Sequence, residues 1–185
     1  MMKTKFIEEE IKYVGTQLSP HWIYKNFNIQ GDSIVAFIGE CEVKLSEMVD
    51  IEDVINNEPI YSKKMLSFIS EQFGIGLVEG VFRQRLLICI IKELLEEKGI
   101  NVIRKGDDLI FKGGKLSVSI ATKSITSVLI HTGLNILSEG APVIASGLES
   151  DMGLLDAKSL AIEIMERYAN ELSDIKLAST KVRGV

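Results

Sequence analysis

The sequence predicts an α+β fold, a mainly antiparallel sheet flanked by helices. Three observations lead there. Short β-branched segments separated by glycines crowd between residues 104 and 136, a long helical pattern at Leu77–Lys98 precedes them, and a second helical pattern at Ala157–Leu172 follows them. The chain has 185 residues, 46% hydrophobic and 25% charged, which suits one well-buried domain spanning 1–185.

Taken in order, Ile11–Val14 reads as a strand entering a turn at Gly15. Ser19 is placed to cap a helix with Pro20 as its first residue, and HWIYKNF carries that helix to about Asn28. Gly31-Asp32 turns into Ser33–Gly39, apolar on both faces as an interior strand requires. Residues 40–59 hold seven carboxylates against one lysine and read as a solvated face, with a short helix about Leu45, Met48 and Val49. Asp50, Glu52 and Asp53 stand too close in sequence to define a metal site.

Lys64–Phe73 places Met65, Leu66, Phe68, Ile69 and Phe73 at helical spacing, which predicts a helix closed by Gly74. In Leu77–Lys98 the expected inward stripe is Val78, Val81, Phe82 and Leu86, with Arg83, Gln84 and Arg85 off it and Gly99 as the C-terminal cap. Three strands follow. Two are joined at Gly113-Gly114, and the third ends in a corner at Gly133-Leu134-Asn135. A glycine-rich loop leads to the last helix, whose Leu160, Ala161, Ile164, Met165 and Tyr168 face inward, and residues 174–185 read as a fraying tail.

A net charge of −5 with scattered lysines and arginines argues against nucleic acid, which needs clustered positive charge to displace counterions. Two cysteines, two histidines and no CxxC pair argue against a metal site. Cys89 reads as a buried apolar residue, and Cys41 between Glu40 and Glu42 as a poor nucleophile. The start MMKTKFIEEE lacks the apolar run of a signal peptide. The longest apolar run, Leu86–Ile91, is far below the ~20 residues that span a bilayer, so no membrane association and a cytoplasmic location are expected. Apolar residues beyond one core and an open sheet edge are compatible with a homodimer.

Polar groups concentrate in 104–136. Asp108 opens one strand of the hairpin and Lys115 the next, so the right register puts both on one side of the sheet, with Asp107 adjacent. A lysine over a pocket acts as a point charge on a carboxylate or phosphate; it also keeps a hairpin soluble, as Lys112 would. His131 lies on an apolar strand, where a histidine is commonly a hydrogen-bonded core residue, and Asn135 stands at the corner after it. His21, in the first turn of its helix beside Trp22 and Tyr24, is either an exposed polar residue or a base for a separate chemistry.

The order long helix, strand, Asp107-Asp108-Leu109, Lys115, strand, strand, Gly133-Leu134-Asn135-Ile136 resembles the catalytic core of the biotin and lipoate protein ligases, whose fold is related to class II aminoacyl-tRNA synthetases. Gly15-Thr16-Gln17 before a helix, then SIVAFIG, is similar to the entry of that fold. The resemblance implies a pocket for a small carboxylate or nucleotide. Lys115 and Asp108 would be its catalytic residues, and Asp107, Asn135, His131 and Gln17 would lie about the ligand; His21 is a substrate-binding candidate from its own place in the chain, outside the resemblance. ATP is the cofactor the resemblance suggests; the residues themselves name none. Over its whole length, with YVGTQLSPHWIYKNF, GDSIV and MVDIED, the chain resembles an uncharacterised, mainly archaeal family.

The departures carry information. Where the ligases have a Gly/Arg-rich adenylate loop after the second strand, this chain has ECEVKLSEMVDIEDV, so a triphosphate meets negative charge. The Asn of the Asn-Asp pair is Asp107, and Val118 or Ser119 stands where a glycine follows the lysine. No cysteine follows Cys89, which removes the nucleophile of the related octanoyl transferases. These residues define a pocket and leave two readings: an acyl-adenylate-forming ligase or acyltransferase, or a non-catalytic domain that binds a small ligand or partner and has lost the adenylation loop.

Overall fold

A computed structural model describes residues 1–184. In chain order the elements are β1 (Lys3–Phe6), α1 (Trp22–Phe27), β2 (Ser33–Val43), α2 (Ile51–Asn56), β3 (Ile60–Phe73), α3 (Leu77–Glu97), β4 (Ile103–Lys105), β5 (Asp108–Phe111), β6 (Gly114–Lys115), β7 (Ser117–Lys123), β8 (Ser127–Asn135) and α4 (Ala157–Ala178). Five strands form one sheet in the order β1-β2-β3-β8-β7, antiparallel except for β1 against β2, and β4-β5-β6 form a small second sheet. The α+β architecture matches the expected fold class.

Side chains alternate across a strand, so each strand feeds both faces of the sheet. Ile34 and Ala36 of β2, Leu66 and Phe68 of β3 and Leu134 of β8 face one core with α3 and α4. Val35 and Phe37 of β2 and Met65 and Ile69 of β3 face the other, with Ile23 of α1 and Tyr13 of the N-terminal segment. That segment crosses close above β2 because residue 39 is glycine: a Cβ there would lie 2.1 Å from the Ile11 carbonyl oxygen. Tyr13 pairs beside Cys41 as a single bridge, so the strand expected at Ile11–Val14 is reduced to that contact.

Several other expectations are corrected. Lys64–Phe73 is not a helix but most of β3, the central strand. Both faces of β3 are covered, so its apolar residues run together and mimic helical spacing. The inward face of α3 is Gly80, Gln84, Leu87, Ile88, Ile91, Leu94 and Leu95, while Val78 and Phe82 point outward, each 71% exposed. Gly80 sets that rotation, since a Cβ there would sit 2.4 Å from a Val128 methyl; glycine lets the helix press onto β8.

Helix α1 begins at Trp22, with His21 in the left-handed region (φ 62). Its N-cap is not Ser19, because the Glu71 carboxylate accepts the His21 N–H at 2.9 and 3.0 Å. Gly133-Leu134-Asn135 is not a corner but the end of β8, paired with Ser67, Leu66 and Met65. Helix α4 continues past Leu172 to Ala178, so helix occupies part of the stretch expected to fray. Among the described residues no helix is long and apolar enough to cross a membrane.

Candidate functional site

The site is built from the hairpin that carries Lys115. Lys112 (φ 46) and Gly113 (φ 86) make the turn, and the register sets Ile110 opposite Lys115. Asp108 lies two residues from Ile110 on the same side, and its carboxylate stands 3.0 Å from Lys115 Nζ. The lysine backbone is pinned from the 140s loop: its N–H donates to the Ile144 carbonyl at 2.9 Å, and Ser146 N–H donates to its carbonyl at 3.0 Å. Asn135 Nδ2 donates to the same carbonyl at 3.2 Å. Sheet and loop therefore fix where the Lys115 side chain starts.

A cavity of about 290 Å³ opens above this hairpin, on the α1 side of the large sheet. It gathers five of the seven residues singled out in the sequence, namely Lys115, Asp108, Asp107, Asn135 and His131. Helix α3 holds Asp107 in place: Arg85 Nη2 lies 3.2 Å from it and Gln84 Nε2 donates to it at 3.1 Å while also donating to Ser119 Oγ at 3.0 Å. Gln84 was expected off the buried stripe; its burial and its link to Asp107 were missed because the apolar pattern of α3 carries no sign of them.

His131 is 3% exposed, with Nε2 3.4 Å from Ser67 Oγ and its ring stacked on Tyr13 at 3.8 Å between centroids. Burial pushes its pKa down to about 3, so at neutral pH it is an uncharged aromatic wall. Tyr13 is likewise 3% exposed and lines the cavity, and burial raises its pKa. Cys41, close beside Tyr13, is pushed up to about 12, first by burial and then by Glu40, which disables it as a nucleophile.

The opposite wall is the 47–58 segment, which contributes Glu47, Asp50, Glu52, Asp53 and Glu58. Asp50 caps α2 by accepting the Glu52 N–H at 2.9 Å. Asp53 is half-buried; burial, then repulsion from Asp50, raises its pKa, while the positive charge of Lys115 lowers it. With Asp107 and Asp108 the lining holds seven carboxylates, and Lys115 is its single lysine or arginine. As expected of a solvated face, Glu47, Glu52 and Glu58 are exposed; the same run also walls the cavity, with Asp50 and Asp53 half-buried. The apolar Met48 and Val49 between the acids were the available signal, since both line the cavity too.

Two residues fall elsewhere. Gln17 accepts the Val14 N–H at 3.0 Å and donates to the Lys12 carbonyl at 2.8 Å, bracing the Gly15 turn outside the cavity lining. His21 lines a separate surface hollow with Tyr24 and Glu71, its ring stacked against Phe73 at 5.8 Å. Among the described residues no three His, Cys, Asp or Glu side chains are grouped to hold a metal ion.

This sheet, with two long helices on one face, has the fold of the biotin and lipoate protein ligases. A biotin protein ligase mutant from Aquifex aeolicus in complex with biotin superposes with a TM-score of 0.62 at 15% identity, over 94% of this chain and 71% of that one. LipL1 of P. falciparum in complex with lipoate superposes at 0.56 with 12% identity, over 100% and 65%. At those identities the likeness is one of fold. The chain itself belongs to the family described as Domain of unknown function (DUF366), which matches residues 2–183. A protein of unknown function from Pyrococcus horikoshi is 40% identical with a TM-score of 0.93, each chain covered in full. An uncharacterized protein of Methanocaldococcus jannaschii is 39% identical over 181 residues, 95% of this chain and 81% of the relative.

Proposed function

We propose that this protein binds a small organic acid in the cavity over the β5–β6 hairpin, with the ligand's carboxylate held at Lys115. The observation that carries this reading is that Lys115 is the one lysine or arginine in the lining, with its backbone fixed by the 140s loop and Asn135. A cavity of about 290 Å³ is near the lower end of the roughly 300–1,000 Å³ usual for small-molecule sites. Lys115 already faces Asp108, so the ligand shares it, and Asp108 keeps the ammonium oriented when the site is open.

Binding without ATP-dependent adenylation is favoured over the ligase reading by the charge of the 47–58 wall. Polyphosphate entering this cavity passes five carboxylates there and finds one ammonium. Thermal-shift and calorimetric titration with biotin, lipoate, octanoate and ATP tests the reading. A carboxylate is expected to raise Tm in the parent and to lose that effect in Lys115→Ala. Equal binding by the variant would show that Lys115 is not the anchor, and pyrophosphate release from ATP with any of these acids would restore the adenylate-forming ligase. β7 leaves one sheet edge open, which supports a homodimer; a single-chain mass by light scattering would remove that part of the reading.

A further inference from the structure

The charge of the cavity has a consequence for what enters it. An acid that brings only a negative charge meets seven carboxylates, against one ammonium that Asp108 already engages at 3.0 Å. Asp107 is already paired with Arg85, but the 47–58 wall repels such a ligand. A ligand that also carries a positive charge is attracted by the same wall. We propose that the ligand is a zwitterion, a small amino acid or amino-acid-like molecule whose carboxylate meets Lys115 and whose ammonium faces the Asp50–Asp53 wall. This rests on the reading that the cavity binds a carboxylate at Lys115.

Independent features point to a ligand with donors as well as acceptors. Tyr13 is 3% exposed, lines the cavity, and its hydroxyl has no hydrogen-bond partner among the described residues. Asn135 is 7% exposed and spends one amide N–H on the Lys115 carbonyl, while its Oδ1 accepts nothing from the described residues. Neither atom is among the fully buried unpartnered ones, so both reach the surface of the cavity, where a ligand's polar atoms can meet them. Tyr13, Tyr61 and the uncharged His131 add aromatic surface that suits an ammonium and its alkyl stem. Burial, and after it repulsion from Asp50, raises the pKa of the half-buried Asp53, and Lys115 lowers it, so an ammonium nearby would offset that repulsion. A metal ion is a poorer occupant, because these carboxylates are spread along the wall and are not grouped as ligands.

The test uses the full chain and matched probes: 4-aminobutyrate and 6-aminohexanoate, the corresponding butyrate and hexanoate, and butylamine and hexylamine. Each is titrated calorimetrically into the parent, Asp53→Asn and Lys115→Met, with urea melts confirming that both variants fold. The better amino acid is expected to bind at least about tenfold tighter than its acid and its amine. Asp53→Asn should erase most of its advantage over the acid while leaving the acid's own affinity unchanged or improved. If the acids bind the parent as tightly as the amino acids and still lose affinity in Lys115→Met, the zwitterion is wrong and the carboxylate reading stands. If the amines bind as tightly as the amino acids and Lys115→Met changes nothing, the carboxylate anchor itself is wrong. Absence of binding by all six probes at their highest soluble concentrations overturns the zwitterion proposal, since both charged groups are then presented without effect.

Discussion

The two faces of the five-stranded sheet are made from alternate residues of the same strands, yet they are covered in different ways. On one face, α3 and α4, of 21 and 22 residues, lay long apolar stripes over Ile34, Ala36, Leu66, Phe68 and Leu134. The other receives α1, of 6 residues, the N-terminal segment and the acidic 47–58 stretch. Long helices fill a sheet face with interdigitating side chains; a short helix and loops cover only part of it, and the remainder is the cavity over Lys115. The difference teaches that the same strand can build the core through its even-numbered residues and line a cavity through its odd-numbered ones. Met65 and His131 line the cavity, while Leu66 and Leu134 lie in the helix-side core.

The largest effect should come from the helix side. Leu94 is fully buried, and Leu94→Ala is expected to cost about 2–5 kcal/mol in urea melts. A loss no larger than that of a surface substitution would mean that α3 is not the main cover of the sheet. The next effect belongs to the cavity face and is set by pH. His131 stays neutral in the folded chain down to about pH 3, whereas an unfolded histidine takes up its proton near pH 6.5. Between those values the unfolded chain binds more protons, so this contribution lowers stability as pH falls. From pH 7 to pH 5 the loss is about 2 kcal/mol, and His131→Phe should flatten it. Unchanged pH dependence in that variant would show that the buried imidazole is not its source.

Smaller is the polar link within the helix-side core. Gln72 Nε2 donates to the Tyr168 hydroxyl at 3.0 Å, and Tyr168→Phe should cost about 1 kcal/mol, with Ser70 Oγ remaining as a partner at 3.0 Å. Smallest is Lys115→Met. Its ion pair with Asp108 joins half-exposed groups, so the expected change in stability is at most about 1 kcal/mol, alongside loss of ligand binding. A loss as large as that of Leu94→Ala would make Lys115 a structural residue and erase the contrast between the faces.

Much of the fold was legible because several of its signals are local. The helical patterns of α3 and α4, the Gly113 turn and the Asp107-Asp108-Leu109 to Lys115 order all lie within short stretches, and the Asp108–Lys115 pairing follows from a tight turn and its register. What stayed hidden depended on distant partners. The strand identity of Lys64–Phe73 is set by neighbours on both faces, and the rotation of α3 by Gly80 meeting Val128. The start of α1 is set by Glu71, fifty residues away. The acidic run gave no indication that Asp53 would turn toward Lys115, because charge along a chain does not say which face it will occupy. Gln17 was joined to the pocket by family resemblance and His21 singled out by its place in the first turn of a helix; the fold puts them at a turn brace and on a separate hollow.

Chemical-shift mapping of the backbone amides with 6-aminohexanoate tests the division of the two faces most directly. A ligand site on the cavity face predicts saturable shifts at Lys115, Asn135, Tyr13 and Asp53, with the α3–α4 side unmoved, and no such shifts in Lys115→Met. Shifts confined to the α3–α4 side, or shifts around the cavity that persist in Lys115→Met, would contradict it.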